Sequence, residues 1–164
     1  EKWAISAHGI DRVEFMVAPN PGEGMRPLAK IASGGELSRM MLALKVILAE
    51  ADPIPTMVFD EIDVGIGGRT SQAVAEKLLL LAQTNQVICV THLPQIASMA
   101  NRHFQVKKTP YGSRTRVEVQ ALSFDERVEE LARMLGGAKV TSTTREHARE
   151  MLSLAESVRL RKDS

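Results

Sequence analysis

Two apolar runs of four residues, Thr56–Phe59 and 87–90, limit what this chain can fold into more than any other feature. Both are too short for helices, and each stops at residues able to do chemistry: Asp60-Glu61 after the first, Thr91-His92 after the second. Between them lie a glycine-rich turn (Gly65, Gly67, Gly68) and a helical pattern over residues 70–83 that turns Val74, Leu78 and Leu81 inward. Two short apolar strands joined by a helix form a parallel βαβ unit, whose strands are expected to be buried on both faces. The chain therefore reads as α/β.

The other elements are arranged around this unit. Residues 11–18 alternate apolar and polar through Val13, Phe15 and Val17, the period of a half-buried strand. Pro19-Asn20-Pro21-Gly22 breaks it, and Gly24 and Pro27 keep the next stretch a loop. Ser33-Gly34-Gly35 opens a helix on which Leu37, Met40, Met41, Leu44, Ile47 and Leu48 form one apolar stripe, ended by Pro53 and Pro55. Residues 104–108 and Arg114–Ala121 read as a hairpin across Pro110-Tyr111-Gly112. Val128, Leu131, Ala132 and Leu135 mark a helix stopped by Gly136-Gly137, and a last helix covers 144–159. Residues 1–9 fit no pattern and are left unplaced, as a junction with foreign sequence would be; 10–164 are expected to form one domain.

Composition narrows the function classes. A chain of 164 residues can bury a sizeable core, and with 4% aromatics that core must be built mainly from Leu, Ile, Val, Met and Ala. Lys plus Arg number 21 against 20 Asp plus Glu, so no bulk charge points to nucleic acid or a membrane surface. The single cysteine, Cys89, excludes a disulfide within the chain, fits a reducing compartment and reads as a buried core thiol. No apolar run approaches the roughly 20 residues needed to cross a bilayer, and no signal-peptide pattern is present. A cytoplasmic protein is expected.

Three segments carry chemistry. Phe59-Asp60-Glu61 delivers two acids at the C-terminal end of a strand, where α/β sheets bind ligands. Adjacent strand residues point to opposite sides, so one acid would face Mg²⁺ and its water while the other orients or deprotonates a water aimed at a phosphate. Taken singly, a strand that meets solvent with two acids is common and needs no such role. Ser33 with two glycines is accounted for equally by an N-cap and a turn, or by a bared helix N-terminus that suits a phosphate. In Val90-Thr91-His92, a parallel neighbour would put His92 on the same sheet edge as Asp60 and Glu61, although a lone strand-end histidine usually has no special role.

In this order, Ser-Gly-Gly-Glu, apolar-Asp-Glu and apolar-Thr-His resemble the signature motif, Walker B and switch histidine of ATP-binding cassette ATPases. The longer segments 32–39, 59–68, 90–96 and 128–137 are similar to an SMC-like branch of that superfamily, which acts in bacterial double-strand-break repair. The resemblance covers roughly residues 9–152. It implies the C-terminal lobe of an SMC-type P-loop ATPase head, with ATP and Mg²⁺ as its small-molecule partners. Ser33, Gly34, Gly35 and Glu36 would meet, in trans, the ATP held mainly by a second head. Asp60 would hold Mg²⁺ through water, Glu61 would be the catalytic base, and His92 would sense the γ-phosphate. Asp63, Val64, Gly65, Ile66 and Gly67 would form a loop along the dimer interface. Ala32 stands where leucine is usual and Glu36 where glutamine is usual. Gly67 stands where that loop normally carries an aspartate, so a site-linking role for the aspartate does not carry over.

A phosphate-cradling Gly-x-x-x-x-Gly-Lys-Ser/Thr loop is missing from the sequence. The run from Gly65 to Thr70 lacks the lysine and the spacing, and the glutamate of Pro21-Gly22-Glu23-Gly24 would repel phosphate. In the resembled family that loop lies in the N-terminal part, beyond a long coiled coil. The chain is thus expected to hold half a site and to be inactive alone. Its partners would be the N-terminal lobe of the same protein, a second head in a homodimer, and DNA through the full assembly at the nucleoid; no membrane is implied. Lys107, Lys108, Arg114 and Arg116 on the hairpin and Arg159, Arg161 and Lys162 at the end read as solvated faces, so DNA contact is implied by the resemblance and not by charge. Two other readings stay open. One is a Mg²⁺-dependent nuclease or topoisomerase-like domain using Asp60, Glu61 and Asp63, although its outer acids are three apart and no upstream strand-end acid completes a two-metal site. The other is a dimerisation lobe without turnover.

Overall fold

The computed structural model describes residues 9–11, 13–18, 22–30, 33–49, 54–111, 114–137 and 139–162. The unplaced residues 1–8, the break at 19–21, Ala32, Pro53 and the hairpin turn at Gly112 lie outside them.

At the centre are β3 (Thr56–Phe59), α2 (Gly68–Leu81) and β4 (Gln86–Cys89), reached after β1 (Met16–Val17), β2 (Arg26–Pro27) and α1 (Gly34–Leu48). β3 and β4 pair in parallel, from Thr56↔Gln86 to Phe59↔Cys89, as the two apolar runs require. The inward face of α2, with Val74, Leu78 and Leu81, packs with Met57, Phe59 and Ile62 in the main core cluster. The sheet departs from expectation in being covered on one face only. Val58 is 65% exposed, and Ile88 and Val90 are open beside it, because no described element lies across that face. Period-two side-chain alternation makes the split clean: Met57 and Phe59 go in, Thr56 and Val58 go out.

α1 buries a different stripe from the one expected. Gly35 and Leu42 are buried, and Val46 and Ala49 join the core beside Leu42, whereas Leu37, Met41, Ile47 and Leu48 are exposed. This helix is apolar on more than one side, and its packing against α2 selects the Leu42 side. At the start of the chain the strand is shorter than its alternating pattern. β1 pairs with β2 over two residues, and β2 and a 3₁₀ turn (Leu28–Lys30) occupy the expected loop. With so little partner strand, Val13 and Phe15 stay exposed.

After β4 comes α3 (Pro94–Met99), a short helix not anticipated from the sequence, with proline in its first turn where no N–H is needed. β5 (Phe104–Tyr111) and β6 (Arg114–Ala121) form an antiparallel ribbon; Pro110 and Tyr111 belong to the strand and not to the turn, with Pro110 opposite Thr115. A two-stranded ribbon is all edge, and an edge tolerates proline. α4 (Phe124–Gly136) starts at a Ser123–Glu126 capping box and ends at Gly137 with φ +63. α5 (Ser142–Lys162) ties the molecule together: Ala148 and Leu152 pack with α4's Val128, Leu131 and Ala132, while Ala155 and Val158 reach the main core. Among the described residues no helix is long and apolar enough to cross a membrane.

Candidate functional site

The parallel register brings the two chemical strand ends to one edge. The Val90 N–H donates to the Phe59 carbonyl at 2.9 Å, so Asp60 leaves the sheet beside Val90, with Thr91 and His92 following. Past Phe59 the chain turns: Glu61 has φ +57, in the left-handed region that a non-glycine residue rarely adopts. The expected alternation of the two acids across a strand therefore does not apply, because the strand has already ended. Such a conformation costs on the order of 1–3 kcal/mol and persists only where its surroundings impose it.

The surroundings here are α1. The Ser38 hydroxyl donates to the Asp60 carbonyl at 2.8 Å. Arg39 Nη1 donates to the carbonyls of Ile62 at 3.1 Å and Val64 at 2.9 Å. Asp60 Oδ1 accepts the Glu61 N–H at 2.8 Å, the Val64 N–H closes the turn onto the Glu61 carbonyl, and Ile62 is fully buried beneath it. The glycines at the start of α1 make the fit possible. A Cβ on Gly34 would strike the Glu61 carboxylate, and one on Gly35 would lie 2.9 Å from the Glu61 carbonyl and 3.1 Å from that of Val64. Ser33 caps the helix, its hydroxyl accepting from the Glu36 N–H at a long 3.4 Å; an accepting hydroxyl still has a proton to donate. Ser33-Gly34-Gly35 and the Asp60-Glu61 turn are thus one assembly within this chain.

The loop after the acids divides by exposure. Val64, Gly65 and Gly67 are exposed and Ile66 is half-buried against the core, whereas the Asp63 carboxylate is buried and accepts hydrogen bonds from Thr91 and His92. Burial pushes the Asp63 carboxyl up, but hydrogen bonds from Thr91 and the His92 backbone, with the His92 ring beside it, hold it below its ordinary value. Cys89 is half-buried; burial first, then the charges of Asp63 and Asp60, push its thiol up to about 12, so it stays protonated and inert.

Two residues that shape the site, Ser38 and Arg39, escaped the sequence reading, and Asp63, expected in the interface loop, turns its carboxylate inward instead. Nothing local signals a side chain that bonds to carbonyls more than twenty positions away. Among the basic residues of the ribbon, Lys107 and Arg116 share one face, with Glu118 between them, while Lys108 pairs with Val117 on the opposite face. Arg116 is paired with Glu118 at 3.1 Å, and Arg159 donates to the Ala100 carbonyl.

For a cation, Asp60 offers one exposed carboxylate at the sheet edge, and no group of three or more ligating side chains exists among the described residues. That donor set does not make an all-protein metal cage. It does fit Mg²⁺, which takes one or two carboxylates and completes its shell with water and substrate phosphates.

The α/β lobe sets Asp-Glu and Thr-His on one edge, beside a helix opened by Ser-Gly-Gly, which is the arrangement that the sequence resemblance to SMC-like ATPase heads implies. No family model matches the chain. Curated relatives give the particular family. It is 49% identical over 158 residues to the DNA repair protein RecN of Halalkalibacterium halodurans, covering 96% of this chain and 28% of that protein. RecN of Streptomyces coelicolor is 49% identical over 95% of this chain, and RecN of Treponema pallidum 52% identical over 92%. The chain spans little more than a quarter of the length of these relatives, and along that stretch it belongs with RecN. A chain solved in work on ATP-driven dimerization and DNA-stimulated activation of SMC ATPases superimposes with a TM-score of 0.49 at 21% identity, covering 70% of this chain and 68% of that one.

Proposed function

We propose that this chain supplies the Walker B, signature and switch-histidine half of an ATP site formed between two SMC-like heads, in an assembly that repairs DNA double-strand breaks in the bacterial cytoplasm. The observation that carries the reading is the Asp60-Glu61 turn. A strained, exposed pair of carboxylates is clamped from α1 at the sheet edge it shares with His92. Strain maintained by so many contacts is characteristic of functional sites.

In this reading Glu61 accepts the proton of the water that attacks the γ-phosphate, and Asp60 holds Mg²⁺ through water. His92 faces the γ-phosphate, and Ser33, Gly34, Gly35 and Glu36 meet the nucleotide of the opposite head through the α1 N-terminus. When bound, Mg²⁺ neutralises charge on the β- and γ-phosphates. The lysine-bearing phosphate loop comes from the N-terminal lobe of the same protein. A surface that such a lobe could cover is present: the open sheet face of Val58, Ile88 and Val90, continuous with the groove that Leu37 and Met41 of α1 line against β3. The loop from Asp63 to Gly67 runs along the head–head interface through its exposed residues Val64, Gly65 and Gly67. The nuclease reading is weakened because Asp63, one of its three acids, is buried and spent on Thr91 and His92.

The test is Glu61→Gln in the full-length protein. The amide keeps the shape but cannot take the proton, so ATP should bind and remain uncleaved while ATP-dependent head dimers accumulate in light scattering. Near-normal turnover would remove Glu61 from the role of base.

A further inference from the structure

The environment of His92 is asymmetric in a way its assigned role does not require. The ring is 72% exposed, yet its Nδ1 edge lies 2.9 Å from Asp63 Oδ2, a carboxylate that is only 4% exposed. The same oxygen accepts from the Thr91 hydroxyl at 2.6 Å and the His92 backbone N–H at 2.8 Å, and the Thr91 oxygen in turn accepts from the Leu93 N–H at 3.0 Å. Asp63 itself does not wander. Its two chain neighbours, Ile62 and Val64, have their carbonyls bonded to Arg39 of α1. A carboxylate that grips both the backbone and the ring of one histidine fixes where that ring points and which nitrogen carries the proton.

We infer that Asp63 is a positioning residue for His92, holding the imidazole by Nδ1–H so that Nε2 is the only ring nitrogen presented to a ligand at the sheet edge. This rests on the reading of His92 as the residue that faces the γ-phosphate. Through Arg39 the same grip links the helix opened by Ser33-Gly34-Gly35 to the histidine, so the position of α1 and the aim of His92 are set together.

Two measurements test it. Long-range ¹H–¹⁵N correlation spectra of this chain should show neutral His92 with the proton on Nδ1, the signals being assigned by their loss in His92→Gln. Asp63→Ala should move that proton predominantly to Nε2, and Asp63→Asn, which keeps an acceptor oxygen, should restore the wild-type pattern. A wild-type His92 protonated on Nε2, or an unchanged tautomer in Asp63→Ala, would overturn the inference; the first outcome needs no variant to fold. In the full-length protein, Asp63→Ala should lower kcat by roughly 10- to 100-fold with little change in KM, the range for loss of a residue that orients a functional histidine. The Asp63→Ala/His92→Ala double variant should be no slower than the worse single one; additive losses would show that Asp63 acts elsewhere. If His92→Ala alone leaves turnover intact, the phosphate-facing reading of His92 fails, while the tautomer spectra still decide the grip.

Discussion

At the residue scale, the two glycines that open α1 look alike in the sequence but meet different neighbours. A Cβ on Gly34 would strike only the far end of the Glu61 side chain, which can swing aside. A Cβ on Gly35 would press on the backbone carbonyls of Glu61 and Val64, which do not yield cheaply, as well as on the Arg39 guanidinium. Alanine also gains about 1 kcal/mol of helix propensity over glycine. Gly34→Ala should therefore leave thermal stability near wild type while reducing turnover of the full-length protein on the order of 10-fold or more, because it displaces the carboxylate. Gly35→Ala should lower the unfolding temperature, with overpacking costing roughly 1–3 kcal/mol before the propensity gain. Equal effects of the two on stability would contradict this placement. Ser33 as a cap and Asp60-Glu61 at a strand end were legible because capping and strand termination are local. The burial of Asp63 was not, since an acid at the head of a glycine-rich turn reads as solvated until a partner arrives from Thr91 and His92.

At the scale of elements, βαβ order, the α2 face and the approximate helix ends followed from period and punctuation. The face that α1 would bury did not, because period alone cannot choose between apolar stripes on one helix; packing against α2 does. Packing of this kind also fixes the β5–β6 ribbon. Glu130 on α4 is 9% exposed, accepts from Arg133 Nε at 2.8 Å and Nη2 at 2.6 Å, and takes the Gln105 amide of β5 as well. The Arg133 hydrogen bonds hold the Glu130 carboxyl below its ordinary value against burial, with the Arg133 charge, Gln105 and His103 adding to the effect. An acid depressed in the folded state stabilises it fully above the ordinary value near 4.5, and this contribution is lost as pH falls through the lower, folded value. Glu130→Gln should thus cost about 1 kcal/mol at pH 7 in urea unfolding, a figure discounted because the Arg133 partner is largely exposed. The gap to wild type should narrow steadily below about pH 4.5. A gap that does not change with pH would remove the ion pair from the account.

At the scale of the whole molecule, chemistry and incompleteness lie side by side. One face of the β3–β4 pair is packed on α2, and the other presents Val58, Ile88 and Val90 to solvent, next to an edge bearing Asp60, Glu61 and His92. Parallel sheets are normally covered on both faces, and in the proposed assembly the N-terminal lobe covers the open one. The sequence pointed to this division, since segments that resemble Walker B, signature and switch histidine stand in it without a phosphate loop. The open sheet face was not legible, because apolar strand residues read as core whichever chain segment supplies the other side. ATP turnover by the chain alone and by the chain joined to the N-terminal remainder of the same protein tests the half-site claim most directly. The account predicts no turnover above background for the chain alone, and activity that appears on joining and vanishes with Glu61→Gln. Robust turnover by the isolated chain, abolished by the same substitution, would contradict it.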